Sequence, residues 1–307
     1  GLYHGGNPVS WVDANGDFYI FGGYGYGASG AVGALNDLWK YSPPTGQWTW
    51  VSGSDQIDQQ GVYGTKGVAA ATNMPGGRYS ASAWQDNNGI FYLFGGAYKD
   101  AAGNNHYLND LWTYNPATNM WTWIHGSNQS DQYGDYGTIG VAAATNTPGA
   151  RMSMGQPRAW ADLFGKFWIY GGRGYGHTSA VAPTYQSDLW QYDPTTNMWT
   201  WMKGPDPATN PHLPVQGAQG VRAPTNHPGS RFGFVTWADL NGNFWKLGGI
   251  TRAFQGQYVD RPTNDLWRLD QVAVPPPPPV YATAPPHVCI GDTGGSYTVN
   301  PIPNATT

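Results

Sequence analysis

Apolar residues run unbroken through Phe18 to Phe21, Phe91 to Phe94 and Phe167 to Tyr170, and each run ends on Gly-Gly. A short run that does not alternate predicts a strand covered on both faces. Ahead of the first run stands Asp13-Ala14-Asn15-Gly16, where Asn and Gly accept the positive φ of a tight hairpin. Before that turn a strand carries Trp11, with Trp84, Trp160 and Trp237 at the matching places further on. After each Gly-Gly comes Asn-Asp-Leu-Trp, at Asn36, Asn109 and Asn264, with Ser187-Asp188-Leu189-Trp190 between them. A Pro/Thr/Asn turn follows (Pro43 to Gln47, Pro116 to Met120, Pro194 to Met198), then Trp-Thr-Trp at Trp48, Trp121 and Trp199. The pattern predicts four strands per unit.

The Gly-Gly motifs are spaced by 73, 76 and 77 residues, and Pro-Gly-x-Arg ends at Arg78, Arg151 and Arg231 in the same order. Several motifs recurring together at one period specify a repeat architecture. The extra length lies after strand four, in Val51 to Gly77 and Ile124 to Ala150; both carry Tyr-Gly-Thr (Tyr63, Tyr136) and then Gly-Val-Ala-Ala-Ala-Thr-Asn. The third such segment, Met202 to Ser230, lacks Tyr-Gly-Thr.

Gly-Gly after an apolar strand, followed by Tyr and then Trp seven residues later (Tyr41 to Trp48, Tyr114 to Trp121, Tyr192 to Trp199), resembles the kelch repeat. The resemblance covers residues 1–271 and implies an all-β, kelch-type β-propeller with blades at about 1–77, 78–150, 151–230 and 231–271. The repeat departs from the common kelch length of about 50 residues. The fourth unit stops at Leu266-Trp267-Arg268-Leu269 with no Trp-Thr-Trp, so a closing strand from upstream of Gly1 is expected. Residues 272–286, with Pro275 to Pro279, read as a stiff linker. Residues 287–307 resemble the start of an immunoglobulin-like or PKD-like module, as found in tandem in large bacterial surface proteins, including those exported by type IX secretion.

Composition narrows the function. Charged residues make up 11% of the chain and the net charge is −4, which gives no basic footprint for nucleic acid. No apolar run is long enough for a membrane-spanning helix. The single cysteine, Cys289, excludes a disulfide within the chain, a Cys-based zinc site and the Tyr–Cys copper chemistry of the kelch-family galactose oxidase. There is no glutamate, no Gly-x-Ser-x-Gly and no His-Glu-x-x-His. Asp100, Asp206 and Asp260, and the loop histidines His106, His177 and His212, are the only catalytic candidates, and none forms a motif. No metal and no cofactor is expected; Asp13 to Asp17 resembles half a calcium loop but lacks the closing carboxylate and reads as a hairpin.

A residue in every blade serves the blade, and a residue in one blade serves a ligand. By that rule Asp37, Asp110, Asp188 and Asp265 are structural, paired with backbone or with Arg78, Arg151 and Arg231. In a four-stranded meander the strand 2–3 loops and the long inter-blade segments leave on one face. There the blade-specific Tyr24, Tyr26, Tyr98, His106, Arg173, Tyr175, His177, Arg252 and Tyr258 are expected to form a ligand surface. The function expected is a non-enzymatic binding or adhesion module, extracellular or on a bacterial cell surface, whose partner is a glycan or a surface or secretion-machinery protein. A cap or scaffold of a surface filament is the alternative, and a polysaccharide-active enzyme a more distant one.

Overall fold

The computed structural model describes residues 7–153, 159–177, 183–204, 214–223, 225–240, 242–254 and 258–270; the side chains of 252–254 and 258–260 are not among what is described. The expected proline linker and the immunoglobulin-like start lie outside the described residues, as do His212 and Asp206. Residues 1–270 form one compact unit.

Blade 1 is the antiparallel meander β1 (Val9–Val12), β2 (Phe18–Tyr26), β3 (Val32–Ser42) and β4 (Gln47–Ser52). Blade 2 repeats it with β5 (Ser82–Gln85), β6 (Phe91–Lys99), β7 (Asn105–Asn115) and β8 (Met120–His125). In blade 3 the first strand is split: β9 (Arg151–Met152) pairs one end of β11 (Phe167–Gly174) and β10 (Ala159–Ala161) the other, followed by β12 (Thr184–Asp193) and β13 (Met198–Lys203). Blade 4 has β14 (Arg231–Phe232) and β15 (Val235–Ala238) on one side of β16 (Phe244–Phe254) and β17 (Tyr258–Leu269) on the other. Among the described residues no fourth strand pairs with β17.

The cores lie between blades. Trp11 of blade 1 stacks on Phe91 of blade 2 with ring centroids 5.2 Å apart, and Trp84 of blade 2 stacks on Phe167 of blade 3 at 5.5 Å. Trp160 of blade 3 meets Phe244 of blade 4 at 4.8 Å. Phe91 to Phe94 are all buried, as an unbroken apolar run requires. Phe18, at the start of the same run in blade 1, is exposed, because no described blade packs on that face. Trp48 of that face is 51% exposed, whereas its counterparts Trp121 and Trp199 are 1% and 0% exposed.

A carboxylate at each later blade holds the wheel in register. Arg78 donates from its two terminal guanidinium nitrogens to Asp110 at 2.7 and 2.8 Å, and Trp112 Nε1 donates to the same carboxylate at 2.7 Å. Tyr63, from the segment after blade 1, adds its hydroxyl at 2.7 Å. Blade 3 repeats this with Arg151, Trp190 and Tyr136 around Asp188. Blade 4 keeps Arg231 and Trp267 around Asp265. The expectation for Asp37 is corrected: among the described residues its one hydrogen bond is from Trp39 Nε1, at 2.7 Å. Six residues before Trp11 the chain carries Gly5 where blades 2 and 4 carry arginine, and Asp37 stays half-exposed to water.

The long segments between blades are clasps rather than free loops. Gly67 N donates to Trp123 O at 2.7 Å, Asn73 Nδ2 to Trp121 O at 3.1 Å, and Ala70 bridges Trp121, so the segment after blade 1 lies along strand four of blade 2. Gly140, Asn146 and Ala143 do the same on blade 3, at Trp201 and Trp199.

Candidate functional site

Past Gly-Gly the chain does not enter a loop. At Gly22/Gly23, Gly95/Gly96 and Gly171/Gly172 the register of strands two and three shifts by a bulge, and both glycines of each pair take positive φ. Only glycine fits there: a Cβ on Gly22 would lie 2.8 Å from Arg78 O. Beyond the bulge the two strands pair again, Tyr24 with Ala34, Tyr98 with His106 and Arg173 with Tyr185. Tyr24, Tyr26, Tyr98, His106 and Arg173 therefore sit on rigid hairpin extensions, a correction to their expected place in loops.

The first pairs past the bulge form one layer. Tyr79 bridges Ala97, which faces Tyr107; Met152 flanks Arg173, which faces Tyr185. Across blades, Tyr24 meets Tyr79 edge-on at 5.3 Å and Tyr185 stacks on Phe232 at 5.2 Å. Two cations border the layer: Lys99 Nζ lies 5.4 Å from the Tyr24 ring centroid, and the Arg173 guanidinium carbon lies 6.0 Å from that of Tyr185. Arg173 is half-buried and makes no hydrogen bond or ion pair among the described residues. Burial, with the neighbouring phenols Tyr107 and Tyr24, pushes the Tyr79 hydroxyl up to about 12, and the Arg173 charge pulls against it. Tyr107 is raised for the same first reason and feels the same opposing charge. These phenols are neutral at physiological pH, the Tyr79 hydroxyl donating to Asn105 Oδ1 at 2.7 Å, and they lie beside a cation with no acceptor among the described residues.

The remaining candidates are placed elsewhere. Tyr98 stacks on His106 at 5.2 Å, and His106 lies between Asp131 (Nδ1 to Oδ2, 2.5 Å) and Asp100 (Nε2 to Oδ2, 3.3 Å). Tyr175 packs edge-on against Tyr107 and Tyr133, and His177 against Tyr136. These contacts brace the clasp after blade 2 against the hairpin of blade 3. Tyr26 is exposed at its hairpin tip. Arg252 and Tyr258 lie on β16 and β17, and their side chains, with that of Asp260, fall outside the described residues. The described residues hold no cluster of three or more His, Cys, Asp or Glu side chains placed for a metal.

The sequence reading missed Tyr79, Tyr107, Tyr185 and Lys99. A signal for Tyr79 was available: it follows the arginine of Pro-Gly-x-Arg, where blades 3 and 4 carry Met152 and Phe232.

These features define a kelch-type β-propeller built from long repeats. The kelch motif matches at residues 7–55 and 78–126, which span the strands of blades 1 and 2. Among solved structures, that of YjhT is similar at 16% identity, over 85% of this chain and 68% of that one, with a TM-score of 0.48. No curated protein matches the chain.

Proposed function

We propose that this chain is a secreted or cell-surface binding module, without catalytic turnover, that takes a glycan or protein partner on the hairpin end of its propeller. The observation that carries the reading is Arg173: a half-buried guanidinium over Tyr185, close to Tyr79 and Tyr107, with no acceptor among the described residues. A planar, permanently charged donor beside aromatic faces suits a ligand with a carboxylate next to an apolar ring face. An acidic sugar or an acidic, aromatic-bearing loop has that chemistry. Kelch repeats support a protein-binding scaffold as the broader class. The resemblance of residues 287–307 to surface-protein modules supports the location. The test is a glycan array and a pull-down from surface extracts, repeated with Arg173→Ala. Binding lost with an unchanged melting temperature supports the reading; binding kept by Arg173→Ala refutes it.

The clasps favour a second reading, a rigid spacer or cap in a surface assembly. Tyr63, Asn73, Tyr136 and Asn146 spend their polar groups on neighbouring blades rather than on the surface. A chain that binds nothing on either screen yet assembles into a larger surface complex fits that reading instead.

A further inference from the structure

The clasps after blades 1 and 2 share one frame and differ in what lies on it. Gly61, Gly76 and Gly77 of the first stand where the second has Gly134, Gly149 and Ala150. The frame is the same in both: Gly77 N donates to Gln59 O and Ala150 N to Gln132 O, each at 2.8 Å. Val62 bridges Met74 in the first as Asp135 bridges Thr147 in the second.

A piece of blade 3 main chain lies on the second clasp. β11 ends at Gly174, and the next two residues cross onto the clasp: Tyr175 N donates to Ala150 O, and Gly134 N to Gly176 O, both at 2.8 Å. A Cβ on Gly149 would lie 2.1 Å from Tyr175 O and 3.0 Å from Gly176 O, so this dipeptide is what requires the glycine. On the first clasp no described residue takes that place. β6 runs on past Tyr98 to Lys99, still paired with β7. The three atoms nearest to a Cβ on Gly76 all belong to its own clasp, at Gly61 and Gln59. Gly61 N and Gly77 O, the matching donor and acceptor, make no hydrogen bond among the described residues. Gly77 is buried, and a buried main-chain group needs a partner.

The space left is a cavity of about 270 Å³, close to the lower end of small-ligand sites at ~300 Å³. Gly61, Gly76 and Gly77 line it, with Tyr98 and Ser130, whose hydroxyls join at 3.3 Å. The Tyr175 ring packs on Tyr107 at 6.1 Å and on Tyr133 at 5.3 Å; the first interface has Ala34 and Gln60 at those two places. An occupant's side chain therefore meets less bulk there than Tyr175 does.

We propose that this cavity is a peptide-binding site, which takes an extended aromatic-glycine segment of a partner protein in the pose that Tyr175-Gly176 holds one blade on. The aromatic residue's N–H donates to Gly77 O, and the glycine carbonyl accepts from Gly61 N. The repeat itself commits the site to main chain: the one occupant seen on this frame is a dipeptide, and the two groups that bind it are both open here. Glycine follows the aromatic residue because Gly176 is buried on the second clasp. The site shares no residue with the layer around Arg173 and stands or falls apart from it.

The test titrates acetyl-Gly-Tyr-Gly-His-amide, the sequence of residues 174–177, into the full chain. Amide hydrogen exchange read by NMR compares Gly61 with Gly134. In the chain alone Gly61 should exchange at least about tenfold faster than Gly134, whose amide is bonded. The peptide should slow Gly61 and leave Gly134 unchanged, with half-saturation at or below about 1 mM. A peptide N-methylated at the tyrosine nitrogen cannot donate to Gly77 O and should bind at least about tenfold more weakly. No slowing of Gly61 by the peptide near ~1 mM overturns the proposal. So do equal binding by the N-methylated peptide, Gly61 as protected as Gly134 in the chain alone, or faster exchange at Gly134, which would mean that the peptide displaces Tyr175-Gly176 instead. Slowing of Gly61 by maltose but not by the peptide would make the cavity a sugar site and also overturn it.

Discussion

The phenol of Tyr136 donates to Asp188 at 2.5 Å across the boundary between blades 2 and 3. That bond joins a clasp to the blade it closes on, at a carboxylate that burial alone would raise. The Arg151 charge and hydrogen bonds, with those of Tyr136 and Trp190, outweigh burial and hold Asp188 below the ordinary aspartate range. Tyr136 itself is pushed well above its ordinary value, by burial first and then by Asp188, so it is a permanent donor. Tyr136→Phe should cost about 1.5–3 kcal/mol, the worth of a hydrogen bond to a charged group. Gln216, at the same place in the third segment and exposed, should tolerate alanine within about 0.5 kcal/mol. Urea unfolding of the two variants checks the contrast, and equal losses would refute it.

Asp110 and Asp37 occupy the same tetrapeptide and should behave differently. Asp110→Ala leaves the buried Arg78 guanidinium without its carboxylate, a loss of about 3–5 kcal/mol. Removing both charges as Arg78→Met with Asp110→Leu should recover much of that loss, because the uncompensated buried charge is gone. Asp37→Ala should cost less than about 1 kcal/mol, as expected for a half-exposed group with one neutral donor. Chemical denaturation of the three variants decides this, and an Asp37→Ala loss matching that of Asp110→Ala would show that position in the motif, not the arginine, sets the cost.

Two glycines separate conformational strain from collision. Gly89 and Gly126 have φ of +77° and +76°, but a Cβ on Gly89 meets nothing within 4 Å whereas one on Gly126 would lie 2.0 Å from Asn109 O. Gly89→Ala should cost only the left-handed strain, about 1–2 kcal/mol. Gly126→Ala must also displace the backbone of Asn109 and Asp110, and should exceed about 4 kcal/mol or prevent folding. Thermal melts of the pair test it; similar melting temperatures would contradict the packing described.

Much of the fold is legible in the sequence because each blade motif names a strand: Trp11, Phe18 to Phe21, Asn36 to Trp39 and Trp48 to Trp50 fall on β1, β2, β3 and β4 in order. The hairpin extensions are not legible. Tyr24-Gly25-Tyr26 and Tyr98-Lys99-Asp100 have loop composition, and their pairing depends on distant acceptors: Asp58 takes the Ala34 amide at 2.8 Å and Asp131 the Tyr107 amide at 2.9 Å. The rule that blade-specific residues serve a ligand gathered Tyr24 and Arg173, which lie in the layer past the bulge, together with Tyr175 and His177, which brace a clasp. It passed over Tyr79 and Tyr185, because contacts between blades join residues that share no motif.

His106 gives the blade 2 hairpin a pH dependence of predictable sign. Its two ring nitrogens face Asp131 and Asp100, and Tyr98 stacks on the ring. The Asp131 hydrogen bond, opposed by partial burial and helped by Asp100, raises its pKa above 6.5. A raised folded value means that the protonated form stabilises the hairpin. That contribution is full below the unfolded value of about 6.5 and is lost as pH rises through the higher folded value. His125 supplies an internal contrast, since burial, with the nearby Lys66 charge, lowers it to about 4. Titration followed by imidazole proton shifts in NMR should show His106 protonating above 6.5 and His125 far below it. Asp131→Asn keeps an acceptor for the Tyr107 amide but removes the charge, so the His106 midpoint should fall while β6 and β7 stay paired. A His106 midpoint at or below 6.5 in the unaltered chain, or one unmoved by Asp131→Asn, would mean that the carboxylates do not hold the imidazolium.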